Sequence, residues 1–455
     1  VLIVIVLLAG YSYKIKAETK EVKGGSQEDI EELSLINAAN KGDKKEVKQL
    51  IEAGADINSK DEEGNTALTF AIEGYIRAKA REEKNIVEKY NDVFDMLIAA
   101  EINVNTEDNK GNAPLNTAVV NGWKGEKLVK KLIKAGADVD HLSQDGYTPL
   151  MIAAARGFTE TVKILLEAKP DDLETPLVIA VEENQTEIVK LLVNAGANVN
   201  IEGSRKNYSG ISLLNIALID GLHKAPNLEI AEILIKTGAV KQQSLDSALT
   251  RAAYEGYTKI VKLLIEAGST KKTEALCEAV YENNKEIVKY LIDVGANINS
   301  QDEYGGTLLT DAIDDDYNEI AKILIDAGII KQGLAFWEAV SRENMEIMQK
   351  LIDAGANINY RHTGTGTVVD GYTPLMLAID DNSMQITEML IDRGAELDLQ
   401  AKSKRGAKAL YLAVLEDNEE LVRMVIEAGA DINAKNNYGK TALFAAARLG
   451  HFEMV

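Results

Sequence analysis

A chain of 455 residues has room for two or three globular domains or for one linear array, and with only 6 Phe and 2 Trp among 46% apolar residues its core must be Leu, Ile, Val and Ala. Asp and Glu number 72 against 50 Lys and Arg, a formal charge of −22, which excludes direct nucleic-acid binding through clustered cations and disfavours anionic membrane surfaces. One cysteine, Cys277, excludes an intramolecular disulfide framework and multi-cysteine zinc sites, and the histidines His141, His223, His362 and His451 stand singly, without ligand spacing, as surface or loop residues.

Val1 to Ala9 is an apolar run, and Lys14 follows too soon for the ~18 to 20 residues a membrane-spanning helix needs. The run reads as the core of an export signal, with Ile15 and Ala17 at the −3 and −1 positions of a cleavage site, so residues 1–17 are expected to be a signal peptide lacking its first residues. The alternative is an uncleaved membrane anchor. Residues 18–33 are charged, broken by Gly24-Gly25-Ser26, and read as a disordered tether. The Lys-, Ile- and Asn-rich composition together with this signal points to a bacterial, secreted or periplasmic protein.

From residue 34 onward two phrases alternate. One ends helices: AGADIN at Ala53, AGADVD at Ala135, AGANVN at Ala195, VGANIN at Val294, AGANIN at Ala354, RGAELD at Arg393 and AGADIN at Ala428. The other opens them: TALTFA at Thr66, TPLMIA at Thr148, TPLVIA at Thr175, TLLTDA at Thr307, TPLMLA at Thr373 and TALFAA at Thr441. From opening Leu to closing Gly position is 19 residues, as from Leu150 to Lys169, enough for two short antiparallel helices; from Gly54 to Leu68 is 14, and the sum is 33. Apolar spacing such as Ile188, Val189, Leu191 and Leu192 gives each second helix a face that only stacked neighbours can bury. The phrases and their period resemble the ankyrin repeat, whose units open with TPLHxA and close with GADVN. The resemblance covers residues 34–455 as thirteen units, the last incomplete, and implies an all-α solenoid with β-hairpin fingers that binds proteins.

The departures from the pattern carry their own expectations. Linkers after Lys169, Gly268 and Gly328 are only 8 residues, so those fingers are shortened. The unit at Leu68 carries 14 extra residues between its helices, expected as a two-turn extension of each around Tyr75 to Tyr90. His362 sits in a 20-residue linker from Gly355 to Leu375, expected as an enlarged, mobile finger. The family's histidine is replaced in every unit, for example by Thr69, Asn116, Met151, Cys277, Thr310 and Trp337, which puts its inter-repeat hydrogen bonds in doubt and makes Cys277 and Trp337 packing residues. After Thr441 only His451 to Val455 follow the inner helix, so Leu421, Val422, Val425 and Ile426 are expected to lose cover and the end to fray.

No phosphate loop, nucleophile elbow or H-E-x-x-H motif occurs, and Asp314-Asp315-Asp316 lacks the alternation and glycine of a calcium loop, so no catalytic, cofactor or metal site is assigned. The alternative is that the array is the targeting arm of an enzyme whose catalytic domain lies beyond residue 455. The resemblance places recognition at the finger tips and the last turn of each inner helix. Of the 26 residues at the two positions before the inner-helix closing Gly, 11 are acidic, against about 4 expected at the chain-wide proportion. Glu182, Glu183, Asp314, Asp315, Asp380 and Asp381 are therefore candidates to steer a basic protein partner. Tyrosine beside the finger glycine, at Tyr147, Tyr304, Tyr372 and Tyr438, adds rigid contact area at low entropic cost. No small-molecule substrate is implied, and a membrane enters only through the alternative anchor.

Overall fold

The opening phrase works as a helix start. Thr66, Thr148, Thr307, Thr373 and Thr441 each lie in extended backbone, and each hydroxyl accepts the N–H three residues on, satisfying a donor that the first helical turn leaves orphaned. The exception is Thr175. After its short linker the helix already starts at Glu174, two residues earlier than in the other units, and Asp172 takes over, accepting from the N–H groups of Glu174 at 2.9 Å and Thr175 at 3.1 Å.

The computed structural model describes residues 35–120, 125–204, 208–219, 225–301, 306–330, 332–363, 369–402 and 406–454. They fall into two compact units that divide between Ser209 and Gly210. After a first helical stretch over 35–41, the first unit contains α1 (Lys44–Glu52), α2 (Ala67–Ala80), α3 (Lys84–Ala99), α4 (Pro114–Val120), α5 (Glu126–Lys134), α6 (Pro149–Arg156), α7 (Thr159–Glu167), α8 (Glu174–Glu182) and α9 (Thr186–Asn194). The second opens with α10 (Leu213–Leu218), α11 (Leu228–Lys236), α12 (Gln242–Tyr254), α13 (Thr258–Glu266), α14 (Lys272–Tyr281), α15 (Lys285–Asp293), α16 (Leu308–Asp314) and α17 (Asn318–Asp326). It continues with α18 (Gln332–Ser341), α19 (Met345–Asp353), α20 (Pro374–Asp380), α21 (Met384–Asp392), α22 (Ala409–Leu415), α23 (Glu419–Glu427) and α24 (Ala442–Leu449).

Within each unit an inner helix packs on its own outer partner and on the next inner helix, so each unit is an all-α solenoid. The apolar faces are fully used: Ile188, Val189 and Leu192 of α9 and Ile320, Ala321 and Leu324 of α17 are buried. Leu421, Val422 and Val425 are buried as well, contrary to expectation, because α22 and α21 already cover that face of α23; only Ile426, 44% exposed, lacks cover.

The closing phrase joins one repeat to the next. Its residue two after the Gly (Asp56, Asn103, Asp138, Asn198, Asn297, Asn357, Asp431) accepts from the N–H two residues on, closing an Asx turn. Its residue four after the Gly reaches the following repeat and accepts the N–H two after that repeat's Gly. Asn58 takes Asn103 at 2.8 Å, Asn105 takes Asp138 at 2.8 Å, and Asp140 takes Asp171 at 3.1 Å. Asn299 takes Ile330 at 2.9 Å, Asn359 takes Glu396 at 2.9 Å, and Asp398 takes Asp431 at 3.2 Å. Where the finger is shortened or absent, a residue at the start of the inner helix replaces it: Glu174 for Asn198 at 3.1 Å, Asp246 for Thr270 at 2.7 Å, Thr273 for Asn297 at 3.1 Å.

Two expectations need correction here. Inter-repeat hydrogen bonds survive the loss of the family histidine, since this ladder supplies them, and the buried Asn116 at one such position adds its own by donating to the carbonyls of His141 and Tyr147 at 3.4 Å. The fingers form no β-strands among the described residues; they are tight turns such as Asp61–Asn65 and Asn436–Lys440, with only isolated bridges at Gly203–Ser209 and Gln301–Thr307. Cys277 and Trp337 are packing residues as expected. Burial pushes the Cys277 thiol up, and Trp337 is buried with His362 stacked on it at 4.2 Å, which ties the start of that enlarged linker down. His141, His362 and His451 are half-buried loop residues, in line with the expectation, and His223 lies outside the described residues; His141 Nε2 lies 2.9 Å from the Gly111 carbonyl and His451 Nδ1 2.6 Å from Asp417.

The extension of α2 and α3 is present, at 14 and 16 residues against 9 in a typical outer helix such as α9. It is a brace. Tyr90 crosses α2 at Gly74, where a Cβ would stand 2.1 Å from its ring, and donates to the Asn40 carbonyl at 2.6 Å. Lys44 pairs with Asp92 at 2.8 Å across the same contact.

Lys169 stands at a closing-Gly position with φ of 60°, where a side chain is strained. Lys169→Gly is expected to raise stability by about 0.5–1 kcal/mol, the relief of the left-handed strain less the added entropy of the unfolded chain. Urea denaturation checks it; an unchanged or lower midpoint contradicts it.

Candidate partner-binding surface

The inner helices end where a residue adopts the left-handed conformation: Asn283, Asp316, Glu343, Asn382 and Asp417 have φ between 52° and 58°. The acidic candidates sit in the turn just before. Asp314 and Asp315 close α16, Asp380 and Asp381 close α20, Glu416 closes α22 and Glu282 closes α14. Carboxylates at a helix C-terminus oppose the negative end of its dipole, at a typical cost of about 0.3–1 kcal/mol each. Helix stability therefore does not account for their enrichment there.

In the second unit these groups act on one another. Burial, then Asp380 and Glu343, hold the Asp381 carboxyl above its usual range, and burial, then Asp380 and Asp381, do the same to Glu416. Asp314 is ion-paired with Arg342, which also meets Glu338 at 3.5 Å, so it adds less free charge than expected. Burial and the Asp314 charge raise Glu338. Asp315 is exposed.

The candidates in the first unit fare differently. Glu182 is buried, 4% exposed, and accepts the Ser204 N–H at 3.0 Å, so it holds the following loop and is no ridge group; Glu183 beside it is half-buried. Among the tyrosines, Tyr147 and Tyr438 are exposed at 42% and 65%, and Tyr304 lies outside the described residues. Tyr372 is buried, contrary to expectation. The backbone of the next finger crosses directly over Gly371, where a Cβ would lie 2.3 Å from the Lys402 nitrogen, and His362 donates to the Tyr372 carbonyl at 2.9 Å. Two aromatic residues were missed: Tyr254 and Tyr281, 41% and 66% exposed at the ends of α12 and α14. Both precede a ridge carboxylate, as Tyr254-Glu255 and Tyr281-Glu282, a repeated pair that was readable. The Glu282 charge pushes the Tyr254 hydroxyl up.

The family model described as ankyrin repeats matches residues 35–140, 121–203, 269–332 and 336–436, more than half of the chain. The chain belongs to the ankyrin-repeat family. It is 36% identical over 108 residues to a putative ankyrin repeat protein of fowlpox virus, covering 24% of this chain and 30% of that one. It is 34% identical over 107 residues to the human SH3 and multiple ankyrin repeat domains protein 2, covering 23% of this chain and 5% of that one. A putative ankyrin repeat protein of Escherichia coli is 27% identical over an alignment of 187 positions, covering 29% of this chain and 93% of that protein. The chain thus matches less than a third of the length of the first two relatives. Ankyrin repeats mediate protein–protein interaction in general.

Crowding on the ridge has a pH signature. A carboxyl whose pKa is raised in the folded state binds its proton more tightly there than in the unfolded chain, so Asp381 and Glu416 add stability as pH falls through their folded pKa values. Asp246 runs the other way: burial raises it, but bonds from Thr270, Ser269 and Gln242 outweigh burial and depress it, so its contribution is present above the ordinary range and lost only in stronger acid. Asp381→Asn with Glu416→Gln is expected to raise the melting temperature at pH 7.5 and to flatten the wild-type gain between pH 7.5 and about 5. Parallel wild-type and variant profiles contradict this.

Proposed function

We propose that this chain acts by binding another protein, and that a basic segment of that protein is drawn to the inner-helix ends of the second unit. The observation that carries the reading is the crowding of Asp380, Asp381, Glu343 and Glu416 at helix C-termini, where neither the dipole nor their mutual repulsion favours them. Exposed Tyr254 and Tyr281, at the C-terminal ends of the inner helices α12 and α14, supply contact area. The export reading of Val1–Ala9 and Ala17 goes with it, placing the encounter outside the cytoplasm.

Exposed charges more than ~8–10 Å apart are screened at physiological salt, so steering shows mainly in the association rate. With a partner obtained by affinity capture, replacing Asp315, Asp380 and Asp381 by Asn is expected to slow association about tenfold or more at low salt and to leave dissociation within about twofold. High salt reproduces the effect in wild type. Association that is unchanged by both removes the ridge from the mechanism.

A further inference from the structure

The ladder of the second unit lacks one rung. Of the six helix pairs from α12 to α23, five are closed by a side-chain oxygen on the N–H two residues after the outer helix's glycine, supplied by Asp246, Thr273, Asn299, Asn359 and Asp398. In the pair α18–α19 that N–H belongs to Asn357, and no side chain among the described residues accepts it. The linker after Gly328 is as short as those before Glu174 and Thr273, so the oxygen has to come from the start of the inner helix. Each residue that stands in this way, Glu174, Asp246 or Thr273, lies 24 positions before the N–H it holds. The residue 24 positions before Asn357 is Gly333, which has no side chain.

An aromatic ring takes the place of the rung. Tyr360, at a position that holds Ser59 and Ser300 in sister repeats, lies over Gly333, where a Cβ would stand 2.6 Å from its ring. That contact is apolar and sets no direction. Beside it the two successive turns leave an open cavity of about 580 Å³, lined by Ile329, Ile330, Gln332, Gly333, Asn357 and Tyr360. The opposite end of the same helices is bonded to both neighbours. Arg342, just past α18, is ion-paired with Asp314 of α16, and Asn344 donates to Asn318 of α17 at 2.5 Å. Ser383, at the start of α21, donates to Glu343.

We propose that the pair α18–α19 is a hinge of the second unit: the turns around Ile330 and Asn357 part and close again, pivoting on the bonded ends at Arg342, Glu343 and Asn344. Bending there changes the angle between the two halves of the acidic ridge, Asp314 and Asp315 on one side and Asp380 and Asp381 on the other, so the curvature offered to a partner is adjustable. The inference concerns the free chain, goes beyond the protein-binding reading and does not depend on it.

Pulsed electron double resonance between nitroxide labels on the full chain, with Cys277→Ser to remove the native thiol, tests it. Labels at Ala327→Cys and Asp392→Cys span the hinge at the turn end, and labels at Asp315→Cys and Asp381→Cys span it at the pivot end. Labels at Ala267→Cys and Ala327→Cys span α15, where Thr273 and Asn299 hold their rungs. The first distance distribution is expected to be about twofold broader than the other two, or more. Gly333→Asp with Tyr360→Ser, which copies Asp246 and Ser300, is expected to narrow it to the control width and to slow amide exchange at Asn357. Thr273→Ala is expected to broaden the control pair in turn. Equal widths for the three pairs overturn the proposal, and so does a pivot-end pair as broad as the turn-end pair. A turn-end pair that stays broad once slowed exchange at Asn357 shows the rung restored also overturns it. If that variant does not form the rung, Thr273→Ala decides: a control pair that keeps its width without its rung overturns the hinge. None of these results bears on whether the ridge draws a basic partner, which the association rates decide.

Discussion

Everything else in these two units depends on one recurrent contact, a side-chain oxygen of one repeat accepting the backbone N–H two residues after the closing glycine of the next. Each such bond is worth only about 0.5–1.5 kcal/mol net, and all of them lie at exposed turns, so their contribution is modest in energy and chiefly directional. The bond also fixes register: it allows one spacing between successive turns, so the apolar faces of neighbouring helix pairs meet in a single alignment. Hydrophobic contact between Leu, Ile, Val and Ala supplies the larger energy without direction. The ladder supplies direction.

The same contact shows how the array tolerates irregular linkers. Where the finger is shortened, by six residues before Glu174 and Thr273 and by three before Asp246, the start of the inner helix stands in its place. Glu174, Asp246 and Thr273 differ in length and charge, yet each delivers an oxygen to the same N–H. Asp246 carries the most, holding Ser269 and Gln242 as well as Thr270. With the stack secured at the turns, the opposite helix ends are free to carry residues that do not favour folding, and the acidic ridge lies there.

Much of this was legible in the sequence, and the parts that were not share a cause. The alternating phrases predict helix pairs, threonine caps and glycine turns, and the 14 added residues predict the long α2 and α3. Local signals of that kind survive because capping and turn chemistry are decided within a few residues. What failed was exposure. Glu182 and Tyr372 occupy positions that face solvent in sister repeats, but a returning loop covers the first and a neighbouring finger the second, and neither is visible in a one-repeat pattern. The doubt over inter-repeat hydrogen bonds arose from reading the absent histidine alone, although the Asn and Asp of the closing phrase were on view.

Native-state amide exchange tests the ladder most directly, because an N–H held by a side chain of the neighbouring repeat is protected only while the two repeats stay docked. The N–H of Glu396, held by Asn359, is expected to exchange far more slowly than that of an unbonded loop amide. Asn359→Ala should speed exchange at Glu396 without changing that at Asp431, which Asp398 holds. Equal exchange at Glu396 in wild type and Asn359→Ala would contradict the account, since the docking of neighbouring repeats would then not depend on this bond.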